Sequence, residues 1–414
     1  MPVQAIFIFI ISIISIGCML ARPRGIAEAY WACGGALLLV ITRLLPLHQA
    51  SHAIRQGLDV YLFLTGMMIL AELARKEGVF EWVADLAARY ANGSPTRLFL
   101  YVYLAGIVVT ALLSNDATAV VLTPAVLAVV RKAKVEPKPY LLACALIANA
   151  ASFIFPISNP ANLVIFARNM PRLTTWLGIF ILPSFASIVI TFFVLRFASA
   201  ADFKNRIADL QQPVGLSSQG RLAVFGLAFA CLALISASAL GLNLGVPTCG
   251  AAIAATLVIT ARDRGAPVEV AKGVSWSVIP LVAGLFVIVQ GLENAGMLHL
   301  GVAGIRALAH TPQVVGNLAA GFGVGLLSNG MNNLPAGLIS GTVVHASGYA
   351  GSLANSVLIG VDLGPNLSVT GSLATILWLI ALRREHVEIT GWQFLKIGVV
   401  AMPLALLGSI LSLH

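Results

Sequence analysis

Long apolar runs, each interrupted by a few polar residues, recur along the whole chain. Apolar spans are predicted at about 3–20, 26–45, 57–74, 97–131, 139–168 and 174–198. The polar stretch ADFKNRIADLQQPVGLSSQG, residues 201–220, then reads as a cytoplasmic linker. Further spans are predicted at about 221–240, 245–261, 276–292, 313–345, 350–382 and 391–411. Many of these approach the roughly 20 residues that an α-helix needs to cross a bilayer. The pattern predicts an all-α polytopic membrane protein in two parts, residues 1–200 and 221–414.

The two parts carry matching landmarks. Leu112-Leu113-Ser114-Asn115 recurs as Leu326-Leu327-Ser328-Asn329. Gly66 and Gly78 precede the first copy as Gly284 and Gly296 precede the second. After them, Asn159-Pro160-Ala161-Asn162-Leu163 is matched with Leu363-Gly364-Pro365-Asn366-Leu367. Three landmarks in one order indicate an internal repeat.

Composition strengthens the membrane reading. Hydrophobic residues make up 59% of the chain and charged residues 10%, against roughly 25% charged in a soluble domain. Val3–Leu20 lacks the basic leader of a secretory signal. The net charge of +9 comes without a basic-aromatic cluster, which argues against nucleic acid and for a positive-inside topology. If 97–131 and 313–345 each enter and leave on one face, 20 basic residues fall on that side and 5 on the other. If each crosses once, the count is an uninformative 12 against 13. The count favours an even number of crossings, which a re-entrant hairpin and two full crossings satisfy alike. The 17 residues before Ser114 and 15 after Asp116 are short for crossings, so re-entrant hairpins are expected. Five crossings and one hairpin per half, an odd number, make the halves inverted repeats with both chain termini outside. The broken helices are expected at 139–168 and 350–382.

The polar interruptions are where chemistry is expected. Unwound backbone in lipid costs several kcal/mol per unpaired group unless protein or a wet cavity surrounds it. The first interruption holds Ser114, Asn115, Asp116 and Thr118; the second Ser158, Asn159 and Asn162. The third holds Ser328, Asn329, Asn332 and Asn333; the fourth Asp362 and Asn366. Their amides and hydroxyls both donate and accept, which suits a small hydroxylated solute. A plainer alternative is that they only cap broken helices. Asp116 and Asp362 are the candidate proton-coupling residues, because an acid at membrane depth is costly and marks function. By the motif match, Gly330 stands in the second half where Asp116 stands in the first. Glu72, Glu293 and Asp59 near helix ends suit ion-paired or interfacial roles, and His345 a bland one. Cys18, Cys33, Cys144, Cys231 and Cys249 are scattered and read as packing residues, with no metal cage. No P-loop, H-E-x-x-H or G-x-S-x-G motif occurs, so a secondary transporter is expected, not an enzyme, and no cofactor.

LLSNDATAVVLTP, LLSNGMNNLPAGLISG, GLENAG and VDLGPNLSVTGSLATILW resemble motifs of the arsenite/antimonite efflux permeases, within the larger ion transporter superfamily. The resemblance covers nearly the whole chain. It implies a carrier in a bacterial-type cytoplasmic membrane that exports arsenite or antimonite in exchange for protons, with a possible accessory cytoplasmic ATPase. In the superfamily's dicarboxylate carriers the tips read Ser-Asn-Thr; here they read Ser-Asn-Asp and Ser-Asn-Gly, and no intramembrane Arg is available for a dicarboxylate. The neutral trihydroxides fit a pocket of Asn and Ser. A sodium/proton antiporter on the same fold is the alternative.

Overall fold

The computed structural model describes residues 3–166, 170–203, 215–261 and 266–413. Much of the expected linker and five of the counted basic residues (Arg168, Lys204, Arg206, Arg262 and Arg264) lie outside them. Among the described residues every regular element is a helix, and there is no strand.

The first part runs through α1 (Val3–Ala21), α2 (Glu28–Ile41), α3 (Leu47–Gln56), α4 (Leu58–Lys76) and α5 (Val79–Tyr90). It continues with α6 (Pro95–Leu112), α7 (Thr123–Lys132), α8 (Lys138–Ala150), α9 (Pro160–Phe166) and α10 (Leu173–Ala198). The second part has α11 (Ser218–Ala239), α12 (Gly245–Ile259), α13 (Ala266–Gly273), α14 (Val278–Asn294) and α15 (Met297–Ala309). It ends with α16 (Gln313–Met331), α17 (Asn333–Ser347), α18 (Ser352–Leu363), α19 (Leu373–Arg384) and α20 (Gly391–Leu411). The second ten helices follow the order of the first ten: two hairpin arms, a broken helix and a long final helix close each series.

The glycine landmarks have physical reasons. Gly78 and Gly296 adopt positive φ of 72° and 93° and turn the chain into α5 and α15. Gly66 and Gly284, separated by the same offset as that pair, sit where two backbones touch. A Cβ on Gly66 would lie 2.7 Å from the Thr248 backbone, and one on Gly284 would lie 2.8 Å from that of Ala32. Small residues at such crossings let apolar helices approach closely. The packing is reciprocal: α4 packs on α12, and α14 packs on α2. Likewise α9 packs on α17, while α19 packs on residues 118–132 of the first hairpin. The final helices α10 and α20 pack on each other, and Ser409 Oγ donates across that seam to the Pro183 carbonyl at 2.9 Å.

Six described helices are long and apolar enough to cross a membrane: α1, α6, α10, α11, α16 and α20. The pairs α3–α4 and α13–α14, bent by 47° and 45°, bring the number to as many as eight. Large apolar side chains such as Phe225, Phe229 and Leu232 on α11 stay exposed, as lipid-facing residues do. The spans expected at 26–45 and 245–261 form helices of 14 and 15 residues, shorter than a full crossing. The first hairpin arms α6 and α16, 18 and 19 residues long, have the length of one.

Candidate functional site

The first hairpin breaks at Ser114, whose backbone sits at φ 151°, ψ 165°. Its Oγ accepts from Ala117 N at 3.3 Å and restarts the helix. Asn115 Oδ1 accepts from Asp116 N at 2.9 Å. Residues 118–122 form a π-helical turn, a form frequent at functional sites. There Thr118 Oγ1 bonds the Thr110 hydroxyl at 2.8 Å. Asp116 is half-buried, and no hydrogen bond or ion pair reaches its carboxylate among the described residues.

The second hairpin breaks elsewhere than the motif match suggests. Helix α16 continues through Ser328 and Asn329 to Met331, and the break falls at Asn332, at φ 76°, ψ 152°. The polar pair can stay helical because each side chain is satisfied. Ser328 Oγ donates to Val324 O at 3.0 Å, and Asn329 Nδ2 donates to Gly325 O and Gly364 O, both at 2.8 Å. Ser368 Oγ donates to Asn329 Oδ1 at 2.6 Å. The offset from Ser114 to Asn332 equals that from Gly66 to Gly284 and from Gly78 to Gly296. The motif copies lie closer together, by about one helical turn. In the register of the breaks and the glycines, Ser114 answers Asn332 and Asn115 answers Asn333. The counterpart of Asp116 is Leu334, not Gly330.

The broken helices are also offset from the motif match. Helix α8 ends at Ala150 and α9 begins at Pro160; α18 ends at Leu363 and α19 begins at Leu373. The two ends and the two starts are therefore separated by one common offset, longer than the motif match of Asn159 with Leu363 implies. Asp362 answers Asn149, an amide that stands outside the four polar interruptions. Asn159, which precedes α9, answers Ser372, the N-cap of α19 that pairs with Thr375 in a capping box.

These four interruptions form one hydrogen-bonded network. Ser158 Oγ donates to Ala111 O at 3.0 Å, tying the first break to the first hairpin. Asn333 N donates to Gly371 O at 2.8 Å, tying the second break to the second hairpin. Between the halves, Asn159 Nδ2 donates to Asp362 Oδ1 at 2.7 Å, and Asn149 Nδ2 donates to Asn366 Oδ1 at 3.0 Å. Asn162 Nδ2 donates to Ser152 O at 2.9 Å. A cleft bordered by Met19, Glu28, Asn332, Leu334, Leu373 and Ile376 reaches the second tip. Glu72 and Asp362 are the only buried charged residues among those described, and no Lys, Arg or His is buried. Such a site can hold a neutral hydroxylated solute or a cation; it offers an anionic carboxylate nothing to pair with.

The other acids have local roles. Arg75 Nε donates to Glu72 Oε2 at 2.7 Å, and Gln290 Nε2 donates to Glu293 Oε2 at 3.0 Å. Asp59 Oδ1 accepts from Gly245 N at 2.9 Å and so caps α12 of the other half. Among the described residues no group of three His, Cys, Asp or Glu is placed to hold a metal ion.

Residues 7–360 match the family model described as citrate transporter. An arsenical pump membrane protein of Escherichia coli is 27% identical over 404 residues, covering 94% of each chain. A putative arsenical pump membrane protein of Bacillus subtilis is 25% identical, covering 95% of each. An uncharacterized transporter of Mycobacterium tuberculosis is 26% identical over 98% of this chain and 96% of its own. In fold, the chain is similar to the YdaH transporter of Alcanivorax borkumensis, with a TM-score of 0.59 at 15% identity over 87% and 86% of the two chains.

Proposed function

Given that this chain belongs to the citrate transporter family, and is a membrane transporter, we propose that it exports arsenite or antimonite in exchange for protons by alternating access. Relatives named as arsenical pumps, similar along 94% of the chain, support the substrate. The observation that carries the reading is the content of the site: amides, hydroxyls and two acids, with no buried base among the described residues to hold a citrate-like anion. As(OH)3 and Sb(OH)3 are neutral and offer three hydroxyls to groups such as Asn115, Asn332 and Asn333. They approach through the cleft at the second tip. Asp116, whose carboxylate lacks a partner among the described residues, takes the proton. The halves are inverted repeats that rock about the joined breaks. An accessory ATPase is not required, since one proton moving down 100 mV supplies about 2.3 kcal/mol, enough for roughly a 50-fold gradient of a neutral solute.

Everted membrane vesicles test this. An imposed acid-inside proton gradient should drive arsenite accumulation, and Asp116→Asn should abolish accumulation while the protein stays in the membrane. Unchanged accumulation in that variant removes Asp116 from the mechanism. No proton-driven uptake of either metalloid, with sodium instead dissipating the gradient, gives the assignment to a sodium/proton antiporter.

A further inference from the structure

The crossing of the two broken helices contains more acceptors than donors, and its amide orientations are fixed by the backbone. Asn162 Nδ2 faces the carbonyls of Ser152, Phe155 and Pro156 at 2.9, 3.4 and 3.5 Å. Its Oδ1 must then point away from them. Asn366 Nδ2 donates to Leu146 O at 3.1 Å, so its Oδ1 is the end that receives Asn149 Nδ2. That leaves Asn149 Oδ1 over. Asn159 Oδ1 accepts from Ala161 N at 3.0 Å, so its Nδ2 is the end that donates to Asp362 Oδ1. That leaves Asp362 Oδ2 over. Ser152 lies beside the Asp362 carboxyl, but its hydroxyl proton is committed to Asn149 O at 2.7 Å. Three buried oxygens therefore have no donor: Asn149 Oδ1, Asn162 Oδ1 and Asp362 Oδ2. The residues that carry them are 0% exposed.

Leaving three such oxygens bare is costly, each by about 1–3 kcal/mol and more for the charged one. The helix dipoles add to the negative potential. Asn149 lies in the last turn of α8 and Asp362 in the last turn of α18. Both elements turn their negative ends toward the cluster, where an acid is disfavoured and a cation favoured. Carriers with broken helices use such C-terminal ends for coupling cations. All three oxygens are hard ligands, and one carboxylate with no buried base matches one positive charge.

We infer that Asp362 Oδ2, Asn149 Oδ1 and Asn162 Oδ1 are ligands of a monovalent cation, sodium, at the junction of the two broken helices. The site joins α8 and α9 of one half to α18 of the other, so occupancy holds the halves together. It goes beyond the proposed metalloid exchange and does not depend on the metalloid.

The test uses the full chain, purified into nanodiscs without metalloid, at one pH and constant ionic strength. Replacing choline chloride with sodium chloride should raise the unfolding temperature saturably, and radioactive sodium should bind saturably. Asp362→Asn keeps an oxygen to accept from Asn159 but removes the charge, and should weaken sodium binding at least tenfold in both measurements. The absence of saturable sodium binding to the wild type overturns the site, because a proton and a water then satisfy the oxygens. Equal binding by wild type and Asp362→Asn also overturns it. Sodium binding without metalloid transport refutes the substrate reading alone; proton-driven metalloid transport without sodium binding refutes the cation site alone.

Discussion

Gly364 gives the sharpest test of how the second hairpin is seated. A Cβ added there would lie 2.4 Å from the Gly325 carbonyl oxygen, 2.6 Å from its Cα and 2.8 Å from its carbonyl carbon. These are all backbone atoms, so no side chain can move aside. Ordinary contact begins at 3.4 Å, so α16 and the start of the break must separate by 1.0 Å (3.4 − 2.4). Overpacking of that kind costs about 1–3 kcal/mol. The separation also stretches the 2.8 Å bond from Asn329 Nδ2 to Gly364 O, worth about 1 kcal/mol. Since φ −48° and ψ −44° suit alanine, the loss of glycine entropy returns about 0.5–1 kcal/mol. Gly364→Ala should therefore be destabilised by about 1–3 kcal/mol. Gly323→Ala is the control: it lies on α16 with nothing within 4 Å of its added Cβ, and should gain about 0.5–1 kcal/mol. Reversible SDS unfolding in bicelles, followed by circular dichroism, measures both. Equal stability of the two variants refutes the packing described for α16.

Asn159→Ala removes the donor at 2.7 Å from Asp362 Oδ1 and should destabilise by about 1.5–3 kcal/mol. Combined with Asp362→Asn the loss should be smaller than the sum of the two, and strict additivity in the same unfolding assay contradicts the bond. Glu385→Ala breaks the Arg131–Glu385 pair, whose side chains are 48% and 46% exposed. It should change stability by less than about 1 kcal/mol, and a larger change in unfolding would mean that the pair is not solvent-screened. Asp116→Asn should lose proton-driven arsenite uptake yet keep wild-type sodium binding, because Asp116 is outside the Asp362 cluster; joint loss of both would merge the two sites.

The helical class and most element positions were legible in the sequence, because long apolar runs punctuated by Gly and Pro leave few alternatives. The register between the halves was less so. The Leu-Leu-Ser-Asn copies look like the strongest landmark, yet the second copy is a helical turn upstream of its break. A short polar tetrapeptide only marks a break if its side chains cap a new helix. Ser114 does so, through Ala117 N. Ser328 and Asn329 instead bond back to Val324 and Gly325 within their own helix. Gly66, Gly78, Gly284 and Gly296 are better guides to the register, since close backbone contact or positive φ fixes what each position requires. Their common offset, applied to Ser114, leads directly to the second tip at Asn332.

The register of the helix ends also moves the charge asymmetry. Motif matching pairs Asp116 with Gly330 and leaves Asp362 without a counterpart. The observed helix ends pair Asp116 with Leu334 and Asp362 with Asn149. The first pair sets an acid against an apolar residue, each beside its own tip. The second sets an acid against an isosteric amide, both buried at one crossing and each bonded across to the other half. Asn149 was hard to see because it stands alone in the apolar run LLACALIANA, and one amide in a helix is usually a local hydrogen bonder. What distinguishes it is the oxygen that its own hydrogen bond leaves over, a property of orientation that sequence cannot display. An acid at each of two helix ends would be too costly without a divalent ion, and amides at both would leave a single cation uncompensated. One acid and one amide balance a single positive charge, and it is at this crossing, to which no hydrogen bond among the described residues joins the Asp116 carboxylate, that loss of one charge should loosen one half from the other.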